Sequence, residues 1–314
     1  MNNYCTLFDS NYLTRGLAMY RSLCDTGEQF ILYIFCFDNL AYEILLKLDL
    51  YNIKLITLEQ LEDERLLSVK SDRTKAEYCW TCTPFIIRYA LDKFGLKEVT
   101  YLDADIFFYE KPSILLDEFH STNKSVMITE HRYTPKYDQS KDLGIYCVQF
   151  MTFKSNEEGL EVLQWWQDRC LEWCYNRNEE GKFGDQKYLD NWTSMFNGVH
   201  VLKNLGGGVA PWNVQQYEVS SGPKVNGQVI VFYHFHAFKW HTKERYYLGH
   251  YILSKKVQKN IYIPYIESLE NQLKLVRKDH KDFSKGIIPY NNGVLDILRH
   301  IKRAMRGTYN VIRR

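Results

Sequence analysis

From Tyr4 to Leu102 the chain alternates short, continuous apolar runs with segments whose apolar residues recur at helical spacing, and this order constrains the fold more than any other feature. The runs Tyr4-Cys5-Thr6-Leu7-Phe8, Ile31 to Phe37, Ile53 to Leu58 and Val99 to Leu102 read as strands buried on both faces. Between them lie helical patterns through Leu17, Tyr20 and Leu23, from Tyr42 to Leu48, and up to Leu91. A parallel neighbour needs a crossover, and a crossover helix covers a face of the sheet, so this order builds an α/β fold with a mostly parallel sheet. Pro84 is expected in the first turn of the helix through Leu91, where its missing N–H is tolerated, with Gly95 at the stop.

Beyond Leu102, Val126 to Thr129 and Val148 to Phe153 read as further strands, and Gly159 to Tyr175 as an amphipathic helix whose tryptophans Trp165, Trp166 and Trp173 serve mostly the core. Lys182 to Val214 is irregular and contains Gly206-Gly207-Gly208-Val209-Ala210-Pro211-Trp212-Asn213, ahead of a strand at Val229 to Tyr233. A loop cluster this late in an α/β domain is where an active-site wall would be built. Its glycines suit either close approach of backbone to a substrate or a tight structural turn, and Trp212 suits stacking on a sugar ring.

The balance of the 314 residues, 45% hydrophobic and 25% charged with formal net charge +2, is that of an ordinary soluble globular protein. No nucleic-acid partner is expected. No run of eighteen apolar residues and no basic, cleavable leader is seen, so a cytoplasmic chain is expected. The eight cysteines then read as reduced thiols. Cys79 and Cys82, with Cys170 and Cys174, have spacing that a zinc site can use, but their apolar helical setting favours core positions.

The fourth strand ends in Tyr101-Leu102-Asp103-Ala104-Asp105. Two carboxylates at i and i+2 converge on one hard cation when the backbone bends out of strand alternation; Mg²⁺ or Mn²⁺ held so can bridge to phosphate oxygens. The carboxyl ends of the strands are also where open α/β sheets bind ligands. The bland alternative is a pair of solvated aspartates in a turn.

With these residues the chain resembles the GT-A glycosyltransferases, most closely the lineage of family 8 galactosyl- and glucosyltransferases and bacterial relatives acting on cell-surface glycans. The resemblance implies a Rossmann-like GT-A domain, expected at residues 1–245, followed by a C-terminal helical basic extension at 246–314. It implies metal ligation by Asp103 and Asp105, with Ala104 between them in the donor-binding segment. Asp9-Ser10-Asn11-Tyr12 resembles the family's nucleotide loop. Asp9 and Asn11 would then contact uracil or ribose, Tyr12 would stack on the base, and Leu7 would lend backbone contacts. Taken alone, the same residues read as a helix N-terminus capped by Asp9 or Ser10.

Gly184-Asp185-Gln186 resembles the family's Asp-Gln pair beside the donor sugar, in which the Asp orients sugar hydroxyls and the Gln lies near the face of acceptor attack. An acceptor-only carboxylate and a donor/acceptor amide suit sugar hydroxyls, though the same residues also suit a polar helix start. Tyr233-His234-Phe235-His236-Ala237-Phe238-Lys239 resembles the late His-x-x-Gly-x-x-Lys segment, in which the His completes the metal site and the Lys neutralises the diphosphate. Ala237 stands where Gly is usual, and from His234 to Lys239 the spacing is one residue short, so either His234 or His236 is the ligand. Strand alternation would put both on one side. Where the family has Asn-Ser-Gly, this chain reads Leu-Gly-Ile-Tyr-Cys-Val-Gln within Asp142 to Phe150, which leaves the donor sugar open.

The expected activity is metal-dependent transfer of a sugar from a nucleotide diphosphate donor, a UDP-sugar, to a glycan or lipid-linked acceptor in bacterial lipopolysaccharide, O-antigen or capsule biosynthesis. The family 8 likeness implies retention by same-face attack; an Asp acting as general base would imply inversion. A phosphatase using Asp-x-Asp is the alternative enzyme, but Phe107 replaces the usual Thr or Val and the motif lies far from the start. A non-catalytic nucleotide- or sugar-binding protein on the same fold is the alternative without chemistry. Finally, apolar residues at 294, 297, 298, 301, 304 and 305 form a helical stripe among Arg299, Lys302, Arg303 and Arg306, with Arg313 and Arg314 beyond. Residues 294–314 can therefore lie on an anionic membrane surface, the inner face of the cytoplasmic membrane, or pack as a terminal helix with a solvated basic face.

Overall fold

The computed structural model describes residues 1–290, 303, 305 and 307–314. Eight strands frame the site: β1 Asn2–Phe8, β2 Phe30–Cys36, β3 Ile53–Thr57, β4 Glu98–Leu102, β5 Ile106–Phe108, β6 Val126–Glu130, β7 Tyr146–Lys154 and β8 Val199–Val201. All but β5 form one sheet in the order β3-β2-β1-β4-β7-β6-β8. Its strands run parallel except β7, which is antiparallel to both β4 and β6. The apolar runs become strands because alternate side chains bury on opposite faces: Tyr4 and Phe8 enter one core layer, Cys5 and Leu7 the other.

The helix before β4 runs from Lys75 to Phe94, so Pro84 lies inside it rather than in its first turn. Thr74 and Glu77 form a reciprocal capping box that starts the helix well upstream, and Gly95 at φ 60° ends it. Proline in a helix interior removes one intrahelical bond. Burial of Cys82, Phe85, Ile86, Ile87, Ala90 and Leu91 on the same helix offsets that loss. The helix expected through Tyr175 spans Glu157–Glu172, with Trp166 fully buried.

A second, smaller layer lies beyond the strand ends. Phe232–His234 pairs antiparallel with β5, and Lys239–His241, Arg245–Tyr247, Ile287–Ile288 and Val311–Arg313 form a four-stranded sheet. The strand expected at Val229 to Tyr233 is thus displaced: Gln228–Val229 closes a hairpin, and the next strand begins at Phe232. The helix Ile263–Arg277 packs on Leu13–Asp25, and Ile261, Tyr265, Leu269 and Phe283 share a core with Leu13 and Leu17. The stripe from Val294 to Met305 lies outside the described residues apart from positions 303 and 305. At the very end, Arg314 reaches Glu267 at 3.1 Å. No helix among the described residues is long and apolar enough to cross a membrane.

The three glycines make a packing turn. A Cβ on Gly206 would lie 2.3 Å from the Val229 carbonyl oxygen, one on Gly207 2.5 Å from Leu202, and one on Gly208, at φ +84°, 2.6 Å from Thr129. Gly206→Ala is expected to destabilise the protein by roughly 1–3 kcal/mol through this backbone clash, seen as a lower Tm. An unchanged Tm would contradict the packing account. The eight cysteines are free, and Cys82, Cys170 and Cys174 are fully buried core residues. Among the described residues, none of them belongs to a group spaced to hold a metal.

Candidate active site

The acidic pair is shaped by a turn. The Asp103 N–H continues the pairing of β4 by donating to the Gln149 carbonyl at 3.0 Å, and the Ile106 N–H returns to the Asp103 carbonyl. This breaks strand alternation and turns both carboxylates the same way. β5 then pairs with Phe232–His234 so that His234 stands opposite Ile106, and the Phe235 N–H donates to the Asp105 carbonyl at 2.9 Å. Register therefore delivers His234 to the carboxylates. Its Nε2 lies 3.2 Å from Asp105 Oδ1 and 3.8 Å from Asp103 Oδ2, and one ligand atom from each of the three residues falls within 4.8 Å of the others.

His236 does not join them. The strand ends at His234, and the chain turns through Ala237 at φ 60°, which leaves His236 exposed with its ring centroid 6.2 Å from that of His234. The alternation expected to align the two histidines stops one residue too early. The left-handed Ala237 also gives a physical reason for the glycine usual at this place in the resembling family. Trp212 is 4% exposed, donates from Nε1 to the His131 carbonyl and packs edge-on against His234 at 5.2 Å, so it walls the histidine instead of offering an open face. Lys239 is exposed at the start of its strand.

Charge in the cluster is unbalanced. Burial pushes the Asp103 carboxyl up to about 6 against the pull of His234, and Asp105 adds to the rise. Burial acts the same way on Asp105, but His234 holds it below the ordinary carboxylate range. Burial would lower His234, yet Asp105 beside it holds the imidazolium well above its usual value. Tyr101 donates its hydroxyl to Asp103 at 2.8 Å. Two hard oxygen ligands and one imidazole nitrogen, with one ligand atom from each within 4.8 Å of the others, could hold a divalent cation.

The loop after β1 faces this cluster. Asp9 Oδ1 accepts the N–H groups of Asn11 and Tyr12, while Oδ2 accepts the Asn11 amide at 2.9 Å and Lys75 Nζ at 2.6 Å. Burial would raise the Asp9 carboxyl, but these donors hold it below its ordinary value. The helix N-cap is Tyr12, so neither Asp9 nor Ser10 takes that position; Ser10 instead donates to Asp38 at 2.8 Å. The Tyr12 ring is 45% exposed with the Arg15 guanidinium 4.8 Å from its centroid, and the Asp105 charge, followed by burial, pushes its hydroxyl up to about 12. Leu7 is buried in β1. Gly286, at φ +77°, lies against this loop so closely that a Cβ would sit 2.2 Å from the Asn11 carbonyl oxygen.

Asp185 lies within electrostatic reach of Asp103. Gly184 takes the left-handed φ of +51°, a Cβ on it would lie 3.3 Å from the Trp80 ring, and the next residue is buried. Burial, and then the Asp103 charge, push Asp185 up to about 8. Gln186 donates from Nε2 to the Leu143 carbonyl at 2.7 Å. A folded-state value above the unfolded one means that Asp185 favours folding fully below about pH 4 and that this contribution is lost as pH rises toward 8. Asp185→Asn is therefore expected to raise the Tm of the metal-free protein by about 2–4 °C at pH 7.5 with no gain at pH 4. A lower Tm at pH 7.5 would contradict the placement of this carboxyl.

Of the residues singled out from sequence, the structure thus gathers Asp103, Asp105 and His234; the charges of Asp105 and Asp103 act on Tyr12 and Asp185, His236 acts on Asp105 electrostatically without joining the three, and Lys239 is exposed. Sequence reasoning missed Lys75, Gln149 and Gly286. The Thr74-x-x-Glu77 box that places Lys75 was legible; the other two owe their positions to long-range packing.

No family model matches the chain. It is 31% identical over 299 residues to YfnD of Bacillus subtilis (strain 168), an uncharacterized protein, covering 91% of this chain and 94% of YfnD. It is 33% identical over 248 residues to the uncharacterized YfnF of the same organism, covering 75% of this chain and 81% of YfnF. Among solved structures, the galactosyltransferase LgtC in complex with donor and acceptor sugar analogs superposes with a TM-score of 0.57 at 12% identity, covering 86% of this chain and 95% of LgtC. At that identity the likeness speaks for fold alone. The chain belongs to the family of YfnD and YfnF, and its fold is that of the GT-A glycosyltransferases in the form that resembles family 8.

Proposed function

We propose that this chain is a metal-dependent glycosyltransferase that moves a sugar from a UDP-sugar to a glycan or lipid-linked acceptor. The observation that carries the reading is the convergence of Asp103, Asp105 and His234 at the carboxyl end of β4, beside an organised loop at Asp9 to Tyr12. The donor and acceptor sugar analogs bound by LgtC support the same class of substrate. Asp103, Asp105 and His234 would hold Mn²⁺ or Mg²⁺, with Ala104 on the donor side. When bound, such an ion supplies charge neutralisation to the departing diphosphate.

The protein's own groups do the rest. Asp9 and Asn11 contact uracil or ribose, Tyr12 offers its exposed ring to the base, and Leu7 lends its backbone. Asp185 orients the donor sugar through its hydroxyls. Gln186, fixed by its bond to Leu143, lies near the face of acceptor attack. Lys239 adds a cation at the leaving phosphate. The glycosidic bond to UDP breaks as the acceptor oxygen bonds to the anomeric carbon; UDP leaves with the electron pair of that bond, its departing phosphate oxygen takes the acceptor hydroxyl's proton, and same-face attack retains configuration. Residues 1–245 carry the donor and metal groups; 246–314 complete the fold and carry the basic stretch.

A role in lipopolysaccharide, O-antigen or capsule assembly would place the chain in the cytoplasm at the inner membrane face, with Arg299, Lys302 and Arg306 of the basic stretch as charges that anionic lipid would attract. Reversing these three charges to Glu is expected to abolish sedimentation with anionic vesicles; unchanged sedimentation would rule out this surface as the anchor. The activity is tested by a screen of UDP-sugars with Mn²⁺, reading released UDP. Release from at least one UDP-sugar is expected, and none from any would count against the reading.

A further inference from the structure

Gln149, in the middle of β7, is fully buried and touches the cluster at two points. Its main-chain carbonyl accepts the Asp103 N–H at 3.0 Å, and its side-chain Oε1 lies 2.8 Å from Nδ1 of His234. An amide oxygen can only accept, so the bond requires hydrogen on Nδ1. The other ring nitrogen, Nε2, faces Asp105 and Asp103 and is the one whose lone pair a metal can use. The main chain of His234 is held independently, by its N–H to the Val209 carbonyl at 2.9 Å. What Gln149 adds is the orientation of the ring.

Keeping a glutamine here costs stability. Its Nε2 is buried without a hydrogen-bond partner, a loss that an apolar side chain of the same shape would avoid. Space is also reserved for it: a Cβ on Gly208 would come within 3.2 Å of that nitrogen. A buried donor left unsatisfied beside a ring nitrogen that is satisfied points to a residue retained for the histidine.

We propose that Gln149 is a positioning residue of the metal site, fixing His234 with hydrogen on Nδ1 so that Nε2 is presented to the ion. The proposal rests on the metal-binding reading of Asp103, Asp105 and His234. Outer groups of this kind orient metal-bound imidazoles, and their loss weakens metal affinity.

Mn²⁺ binding is measured by calorimetry and by electron paramagnetic resonance in the presence of UDP, on wild type, Gln149→Met, Gln149→Asn, Gln149→Glu and Asp103→Ala. Gln149→Met, which keeps the shape and loses the acceptor, is expected to bind Mn²⁺ about 10–100-fold more weakly and to lose the imidazole-nitrogen coupling in the pulsed spectrum. Its metal-free Tm should not fall. Gln149→Asn, which withdraws the amide, carries the same expectation and serves should the Met variant not fold. Gln149→Glu restores an acceptor and is expected to stay within about threefold of wild type with the coupling intact. If Asp103→Ala loses Mn²⁺ while Gln149→Met and Gln149→Asn keep wild-type affinity and coupling, the metal reading stands and the role of Gln149 falls. If wild type binds no Mn²⁺, both fall.

Discussion

Asp103→Ala is expected to lower Mn²⁺-stimulated turnover of a UDP-sugar by at least about 10²–10³-fold, the order seen when a group that stabilises developing charge is removed. The size follows from the geometry: His234 and Asp105 alone leave the cluster one carboxylate short, on the side nearest Asp185. Loss of fold is a poor explanation for such a fall. Asp103 is a half-buried carboxylate held up to about 6, so its charge costs the metal-free protein stability at pH 7. Asp103→Asn removes that charge, so its metal-free Tm at pH 7 should equal or exceed that of wild type while its turnover is lost as well. Either variant keeping full Mn²⁺-stimulated turnover would remove Asp103 from the metal site.

Asp185→Asn carries the second large effect, a fall in kcat of about 10²–10³-fold with UDP and Mn²⁺ binding within a few fold of wild type. Asp185 lies in a different segment from every ligand and from the loop at Asp9 to Tyr12, so a change there should affect the sugar and spare the nucleotide. Steady-state rates paired with UDP calorimetry separate the two contributions. A variant that turns over normally would leave Asp185 a buried structural acid, and one that loses UDP binding would place it with the nucleotide rather than the sugar. The same substitution is expected to raise stability at neutral pH and to lower activity, a trade common where a site holds a strained or uncompensated group.

How far these residues could be found from sequence depends on how local their placement is. β1 to β4 and the acidic pair at the end of β4 were legible because apolar runs and helical spacing are local signals, and the ligand-binding edge of an open sheet follows from strand order. Pro84 misled because a proline near an apolar run suggests a helix start, although the Thr74-x-x-Glu77 box was there to be read. The choice between His234 and His236 was not legible: it depends on where the strand paired with β5 stops, a matter of register between segments far apart in sequence. Gly206 to Gly208 were ambiguous for the same reason, since the atoms that exclude a Cβ belong to Val229, Leu202 and Thr129. Gln149 stood in the expected strand at Val148 to Phe153, within the stretch that departs from the family's Asn-Ser-Gly, and nothing in the sequence assigned it a role. Only the fold brings its carbonyl to Asp103 and its amide to His234.

The central claim, that the Asp103, Asp105 and His234 cluster with the Asp9 to Tyr12 loop binds a nucleoside diphosphate through a divalent cation, is tested most directly by calorimetry of UDP on the wild-type protein with and without Mn²⁺. Saturable UDP binding that requires Mn²⁺ and is lost in Asp103→Ala is the expected result; UDP binding indifferent to Mn²⁺, or none under either condition, would contradict it.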